Sequence, residues 1–200
     1  MSAEEFDPNL LDDAADLAAE SHESDSLDEE NRLKPEFVRK VREALADPAV
    51  RAVIVCTPPR THVTIIEAAA TAGKAIFCEK PVDLDIVRAR ACAQAVSRAG
   101  VTCLIGFQRR YDPTFSTLKS RIEAGEIGEP EMLVVTSRDP GAPPAEYLKR
   151  SGGTFKDMLI HDFDIFRWIL DDEAATLYAT GSVLTDPAVG AVGDIDATAV

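Results

Sequence analysis

Two hundred residues, 46% apolar and 28% charged, suffice for one ordinary globular domain or one and a half smaller ones. The formal charge of −14 at pH 7 excludes a basic nucleic-acid footprint and predicts repulsion from an anionic membrane surface. No stretch approaches the roughly 18 consecutive apolar residues of a membrane span, so neither nucleic acid nor membrane is an expected partner.

The charge is unevenly placed. Residues 1–33 carry twelve acids against the single base Arg32, which leaves only −3 for residues 34–200. The acidity therefore describes a leader rather than a folded body. An acidic start is not a secretory signal, which needs basic and apolar regions. Within the leader, Leu10, Leu11, Ala14, Leu17 and Ala18 cluster at helical spacing, whereas residues 21–31, with His22 solvated among them, read as loop or disorder. The cysteines at 56, 78, 92 and 103 lack metal spacing. Three of them fall in or beside predicted strands, where a free thiol acts as a small hydrophobe. That usage predicts a cytoplasmic location.

Pro35 suits the first turn of a helix running to about residue 46, with Phe37, Val38, Val41 and Leu45 on one face. From Arg51 the pattern changes. Ala52–Cys56 is a β-branched run, a helix follows over about 61–72, and Gly73 is its C-cap candidate. Then come a strand over 75–78, a helix over about 83–99 stopped by Gly100, and a third run from Val101 to Phe107. Strand–helix–strand–helix–strand at this spacing predicts βαβ units around a buried parallel sheet, here over residues 34–107. After Phe107 the rhythm breaks. A helix is expected over 111–124, a strand over 131–137, a Pro-rich loop over 139–144 and a helix over about 155–170. Leu177–Leu184 and Asp196–Val200 resemble strands of a different, antiparallel sheet, so a second α/β domain is placed over 108–200.

Two constellations carry chemistry. Cys78-Glu79-Lys80-Pro81 closes the second predicted strand, and open parallel sheets hold their ligands at the carboxyl ends of strands. A solvated Glu-Lys pair before an ordinary turn is the plainer reading. In the second constellation, Asp157, His161, Asp164 and Trp168 fall on one face of the predicted helix. A carboxylate one turn from a histidine fixes its tautomer and raises its basicity, as a general base needs. Acids favourable to a helix N-terminus with one incidental histidine explain the same spacing. With no cysteine or second histidine nearby, no metal site is expected. His62, read locally, is a hydrogen-bonding residue at a helix start. A phosphate-cradling G-x-G-x-x-G is missing, since the first glycine is Gly73.

Taken in order, Thr57-Pro58-Pro59-Arg60-Thr61-His62, Cys78-Glu79-Lys80-Pro81, Gly106-Phe107-Gln108-Arg109-Arg110-Tyr111-Asp112-Pro113 and Gly152-Gly153-Thr154-Phe155…Asp157…His161-Asp162 resemble the Gfo/Idh/MocA family of NAD(P)-dependent oxidoreductases, most of all its inositol 2-dehydrogenase branch. The resemblance covers about residues 45–200. It implies a partial Rossmann-like parallel sheet followed by a partial α/β domain with a largely antiparallel sheet, whose open face mediates homo-oligomers in the full-length form. It also implies NAD or NADP as cofactor and a polyol or sugar as substrate. Lys80 would bind the reacting hydroxyl, His161 would take its proton, and Asp157 would tune the pair. Arg109 and Asp164 resemble substrate contacts. Thr57, Pro58, His62, Glu79 and Lys80 match positions on the nicotinamide side. Family members begin with a strand, a glycine-rich turn, a helix and a second strand, which this sequence lacks, and they continue beyond its last residue. The expectation is therefore a fragment of a longer enzyme or a truncated gene product. A non-catalytic nucleotide- or sugar-sensing regulator and an NAD-dependent glycosidase stand as alternatives.

Overall fold

The computed structural model of the chain describes residues 33–141 and 143–200. The acidic leader and the helical pattern expected within it lie outside the described residues. The chain divides into two compact units, the first ending at Gly106 and the second running from Phe107 to Val200.

The first unit is a three-stranded parallel sheet with helices. Helix α1 (Pro35–Ala46) precedes β1 (Ala52–Val55), α2 (Pro59–Thr71), β2 (Ala75–Cys78), α3 (Ile86–Ala99) and β3 (Cys103–Ile105). The strands lie in the order β1-β2-β3, with Val55 opposite Cys78 and Cys78 opposite Ile105. The punctuation follows local chemistry. Prolines occupy the first turns of α1 and α2, where a missing N–H costs nothing. The Asp85 side chain accepts from Val87 N at 2.7 Å to cap α3. Gly100 ends that helix at φ 67°, in the left-handed region that glycine enters without strain. Helix α2 is buried almost throughout and is the centre of the core, with Val63, Ile65, Ile66 and Ala68–Ala70 packed beside Leu45, Val55, Ile76 and Cys92. Among the described residues β1 is an edge strand, and its Ile54 is 75% exposed.

The second unit begins with a 3-10 turn, Gln108–Tyr111, of which only Tyr111 falls in the helix expected over 111–124. Asp112 then caps α4 (Pro113–Glu123) by accepting from Thr114 N at 2.8 Å. The residues 131–137, expected as a strand, form no ladder among the described residues. Short helices α5 (Ala145–Ser151) and α6 (Gly153–Asp157) lead to α7 (Ile160–Leu170). The small sheet pairs β4 (Thr180–Ser182) with β5 (Ala197–Ala199), antiparallel as expected, and α8 (Pro187–Ala191) lies between them in sequence.

The single helix expected over 155–170 is two helices. The Thr154 carbonyl accepts from both Met158 N (3.2 Å) and Leu159 N (2.9 Å), and His161 N then turns to the Met158 carbonyl at 3.2 Å. The ladder thus shifts register at Met158–Leu159, so Asp157 ends one helix and His161 begins the next. The i, i+4 spacing of Asp157 and His161 therefore spans the break between α6 and α7 instead of one continuous helix.

Candidate active site

In the first unit, three loops meet the carboxyl ends of the three parallel strands: Thr57-Pro58 after β1, Glu79-Lys80-Pro81 after β2 and Gly106 after β3. The main-chain ladder runs on past the strands, with Glu79 N donating to Val55 O at 2.9 Å and Gly106 N to Cys78 O at 2.7 Å. Gly106 sits close against the Glu79 side chain. A Cβ there would stand 3.0 Å from Glu79 Oε2 and 3.1 Å from its carboxyl carbon, so the Glu79 carboxylate rests directly on the Gly106 main chain. The Lys80–Pro81 peptide bond is cis. Thr57 Oγ1 accepts from Thr61 Oγ1 at 2.6 Å.

His62 occupies a place that the sequence did not suggest. Its ring is 1% exposed. Nε2 lies 2.6 Å from the Thr57 carbonyl oxygen and Nδ1 lies 2.8 Å from the Pro81 carbonyl oxygen. Lys80 and Glu79 are half-buried, as are Thr57 and Pro58. The neighbouring thiols are inert. Burial pushes Cys78 and Cys92 up to about 12, far from thiolate at neutral pH.

In the second unit, Asp157 at the end of α6 accepts a hydrogen bond from the Tyr147 hydroxyl at 2.8 Å. Burial, and then this bond, push the Tyr147 pKa up, so the phenol remains a donor. Asp157 also borders a cleft of about 350 Å³, along with Leu148, Ser151, Thr154, Met158 and Asp196. His161, in the first turn of α7, meets the Phe107 ring edge-on, with ring centres 6.5 Å apart and an interplanar angle of 84°.

Two arginine–aspartate pairs fix α7. Arg109 Nη1 donates to Asp162 Oδ1, which also accepts from Ser137 Oγ at 2.7 Å. Arg110 grips Asp164 with a two-point fork, Nε to Oδ2 at 2.8 Å and Nη2 to Oδ1. This hydrogen bond raises the Arg110 pKa further above its ordinary value. Asp164, expected as a substrate contact, is buried with both oxygens held by Arg110.

The predicted site residues thus fall into two groups. Thr57, Pro58, His62, Glu79 and Lys80 share one end of the parallel sheet, whereas Arg109, Asp157, His161 and Asp164 belong to the second unit. Sequence reading missed Tyr147, Arg110, Ser137 and Asp162. Only the adjacent Arg109-Arg110 facing an alternating Asp162-x-Asp164 offered a signal, and nothing local connects pairs 53 and 54 residues apart. Among the described residues, no group of three or more His, Cys, Asp or Glu is placed to hold a metal ion.

Comparison with known proteins divides the chain at nearly the same place. Residues 10–107 match the NAD-binding Rossmann-fold model of an oxidoreductase family, GFO/IDH/MocA, and residues 115–200 match the C-terminal domain model of GFO/IDH/MocA proteins. The inositol 2-dehydrogenase of Rhizobium meliloti (strain 1021) is 52% identical over 158 residues, which are 79% of this chain and 47% of that protein. The myo-inositol 2-dehydrogenase of Thermotoga maritima is 41% identical over 193 residues, 96% of this chain and 58% of its own length. A crystal structure of scyllo-inositol dehydrogenase from Lactobacillus casei, with bound NAD(H) and scyllo-inositol, superposes with a TM-score of 0.68 at 28% identity, covering 82% of this chain and 53% of that one. The chain spans about half the length of the curated relatives it matches.

Proposed function

Since the chain belongs to the Gfo/Idh/MocA family of NAD-binding oxidoreductases, we propose that it is the site-bearing part of a dehydrogenase that oxidises a secondary hydroxyl of a cyclitol, an inositol above all, with a sugar as the alternative substrate. The observation that carries this reading is Lys80, held at the mouth of β2 beside Thr57, Glu79 and Gly106, at the sheet end where parallel α/β folds place their ligands.

The fit to a dinucleotide is good on the nicotinamide side. Thr57, Pro58, Glu79 and Lys80 follow the strand ends there, and a side chain at Gly106 on β3's exit would require the Glu79 carboxylate to shift. No glycine precedes Gly73, so these residues offer no glycine-rich turn for the pyrophosphate. Thr57, Pro58, Glu79 and Lys80 would hold the nicotinamide end of NAD, which would supply the acceptor for the hydride leaving the carbinol carbon; the choice between NAD and NADP is left to residues outside this set. Lys80 donates to the reacting hydroxyl oxygen and steadies the negative charge it gains as the C–H bond breaks. His161 takes the hydroxyl proton, so the oxygen is left as a carbonyl. Asp157, itself held by Tyr147, orients and tunes His161. Arg109 and Arg110 face the substrate, and Asp162 and Asp164 aim them from behind.

A non-catalytic sensor is not favoured, because Lys80, Asp157 and His161 are all retained. The proposal includes a cytoplasmic location and self-association of the longer protein through the second unit, where Met132, Val134, Leu177, Tyr178 and Leu184 are each at least 70% exposed. Among the described residues no helix is long and apolar enough to cross a membrane. The test is NAD reduction with myo-inositol, followed by absorbance, in this chain and in a version extended at both ends. Lys80→Ala should lower kcat/KM by about 10²–10³-fold; unchanged turnover would sink the assigned roles.

A further inference from the structure

We infer that His62 is a positioning residue for Lys80, acting through the main chain of two adjacent strand mouths and not as a contact for the cofactor. The inference rests on the reading of Lys80 as the group that meets the reacting hydroxyl. Thr57 follows β1 and Pro81 follows β2, and these strands are neighbours with Val55 opposite Cys78. The imidazole spans from one mouth to the other, 2.6 Å from the Thr57 carbonyl oxygen and 2.8 Å from that of Pro81. Both partners are carbonyls, which only accept, so each ring nitrogen bonds its carbonyl only where it carries hydrogen: a neutral ring donates to one of the two, and both are bonded only when both nitrogens carry hydrogen.

The consequence for Lys80 follows from what lies on either side of it. Its predecessor, Glu79, is tied by N–H to the Val55 carbonyl at 2.9 Å. Its successor, Pro81, has no N–H, and its carbonyl is tied to His62. Lys80 is therefore the one residue between two anchors, and the second anchor is a side chain rather than a strand ladder. Helix α2 carries His62 in its second turn, and that helix is the most deeply buried element of the unit. The imidazole thus transmits the rigidity of the core to the turn that presents the ammonium. At 1% exposure, with a carbonyl at each nitrogen, the ring has no surface left for a ligand.

Two variants separate this role from a cofactor contact and from general stabilisation. His62→Phe keeps the volume and removes every ring N–H donor, while His62→Gln keeps an amide donor. In this chain, amide hydrogen exchange at Glu79, Lys80 and Val82 should quicken by about tenfold or more in His62→Phe, with α3 unchanged and His62→Gln intermediate. Should the phenylalanine variant fail to fold, the glutamine variant alone decides the point. In the active protein, His62→Phe should lower kcat by about a hundredfold, leave the NAD Kd where it was, and cost nothing further in a Lys80→Ala background. A raised NAD Kd with unaltered exchange at residues 79–82 would overturn the inference in favour of cofactor contact. An equal loss with and without Lys80 would overturn it in favour of plain stabilisation. If neither wild type nor Lys80→Ala turns over inositol, the dehydrogenase reading fails alone, and the exchange data still decide what His62 holds.

Discussion

The two units hold their functional residues by opposite means. In the first, Lys80 stands on a parallel sheet whose mouths are joined by main-chain bonds and one buried imidazole, above a continuous core running from Leu33 to Cys92. In the second, the described residues bury few large apolar side chains, chiefly Ile165, Ile169 and Val189. There α7 is held by charge, through Arg109 on Asp162 and Arg110 on Asp164. Apolar packing has no preferred direction and ignores salt; a two-point guanidinium–carboxylate fork is directional and feels ionic strength when half-exposed. The surroundings of Lys80 are therefore set by core packing, whereas those of α7 are set by ion pairs that respond to ionic strength.

The largest expected effects test that contrast directly. Ile66→Ala in α2, where the side chain is 1% exposed, should destabilise the first unit by about 2–5 kcal/mol. Asp164→Ala should destabilise the second unit by about 2–3 kcal/mol, because it strips Arg110 of its partner in a partly buried setting. Chemical denaturation followed by residue-resolved NMR would assign each loss to its unit. High salt is the discriminating condition. It should weaken the wild-type second unit and leave the Ile66→Ala penalty alone. An equal salt response in both units would dissolve the distinction.

Next in size is the turn that launches α6. Gly153 has φ 76°, and a Cβ there would stand 3.0 Å from Asp194 Oδ1. Asp194 is not an idle neighbour, since both its oxygens lie 3.2 Å from Thr154 N, and Thr154 Oγ1 donates to the Ile195 carbonyl at 2.6 Å. Gly153→Ala should cost about 1–2 kcal/mol in backbone strain and also move Thr154, hence Asp157. Gly100→Ala supplies the control. It carries a similar positive φ, 67°, with nothing within 4 Å, so thermal stability should fall comparably while the NAD reduction proposed for the extended protein holds. Comparable turnover in the two variants would show that α6 tolerates displacement.

This difference between the units also governs how much could be read in advance. The three parallel strands were legible because strands buried on both faces read as apolar runs, and the glycines at 73 and 100 mark the ends of the helices between them. Glu79-Lys80-Pro81 was legible for a related reason, since strand ends in such sheets are where chemistry is placed. The break between α6 and α7 was not. Its cause is a shared carbonyl at Thr154, itself held by a carboxylate 40 residues later, and no periodicity reports that. The 131–137 segment shows the limit of pattern alone: alternating apolar residues predict a strand, but a strand is defined by a paired partner, which the pattern does not supply. His62 was legible as a hydrogen bonder near a helix start, but its contact at Pro81 was not, because that carbonyl lies 19 residues away on another loop.

The smallest expected effect separates the units by pH. In the first unit, burial raises the Glu67 pKa, against weaker opposition from Arg88 and Arg98. Its ionised form is disfavoured in the folded state, so its contribution to stability is full at low pH and declines as pH rises through the raised value. In the second unit, main-chain N–H groups of Asp186, Leu184 and Thr185 converge on the Asp196 carboxylate and hold its pKa below the usual range. That contribution has the opposite sign. It is present above the ordinary carboxylate value, about 4, and lost as pH falls through the lowered one. Acidification from about pH 5 downward should therefore loosen the β4–α8–β5 region while Glu67 becomes more comfortable in α2. Hydrogen exchange measured across that range should show residues 180–199 losing protection before residues 59–71. Asp196→Asn should flatten the response of the second unit alone, because an amide keeps an acceptor for those N–H groups without a titrating charge. A flattened response in both units would mean that some other carboxylate couples them.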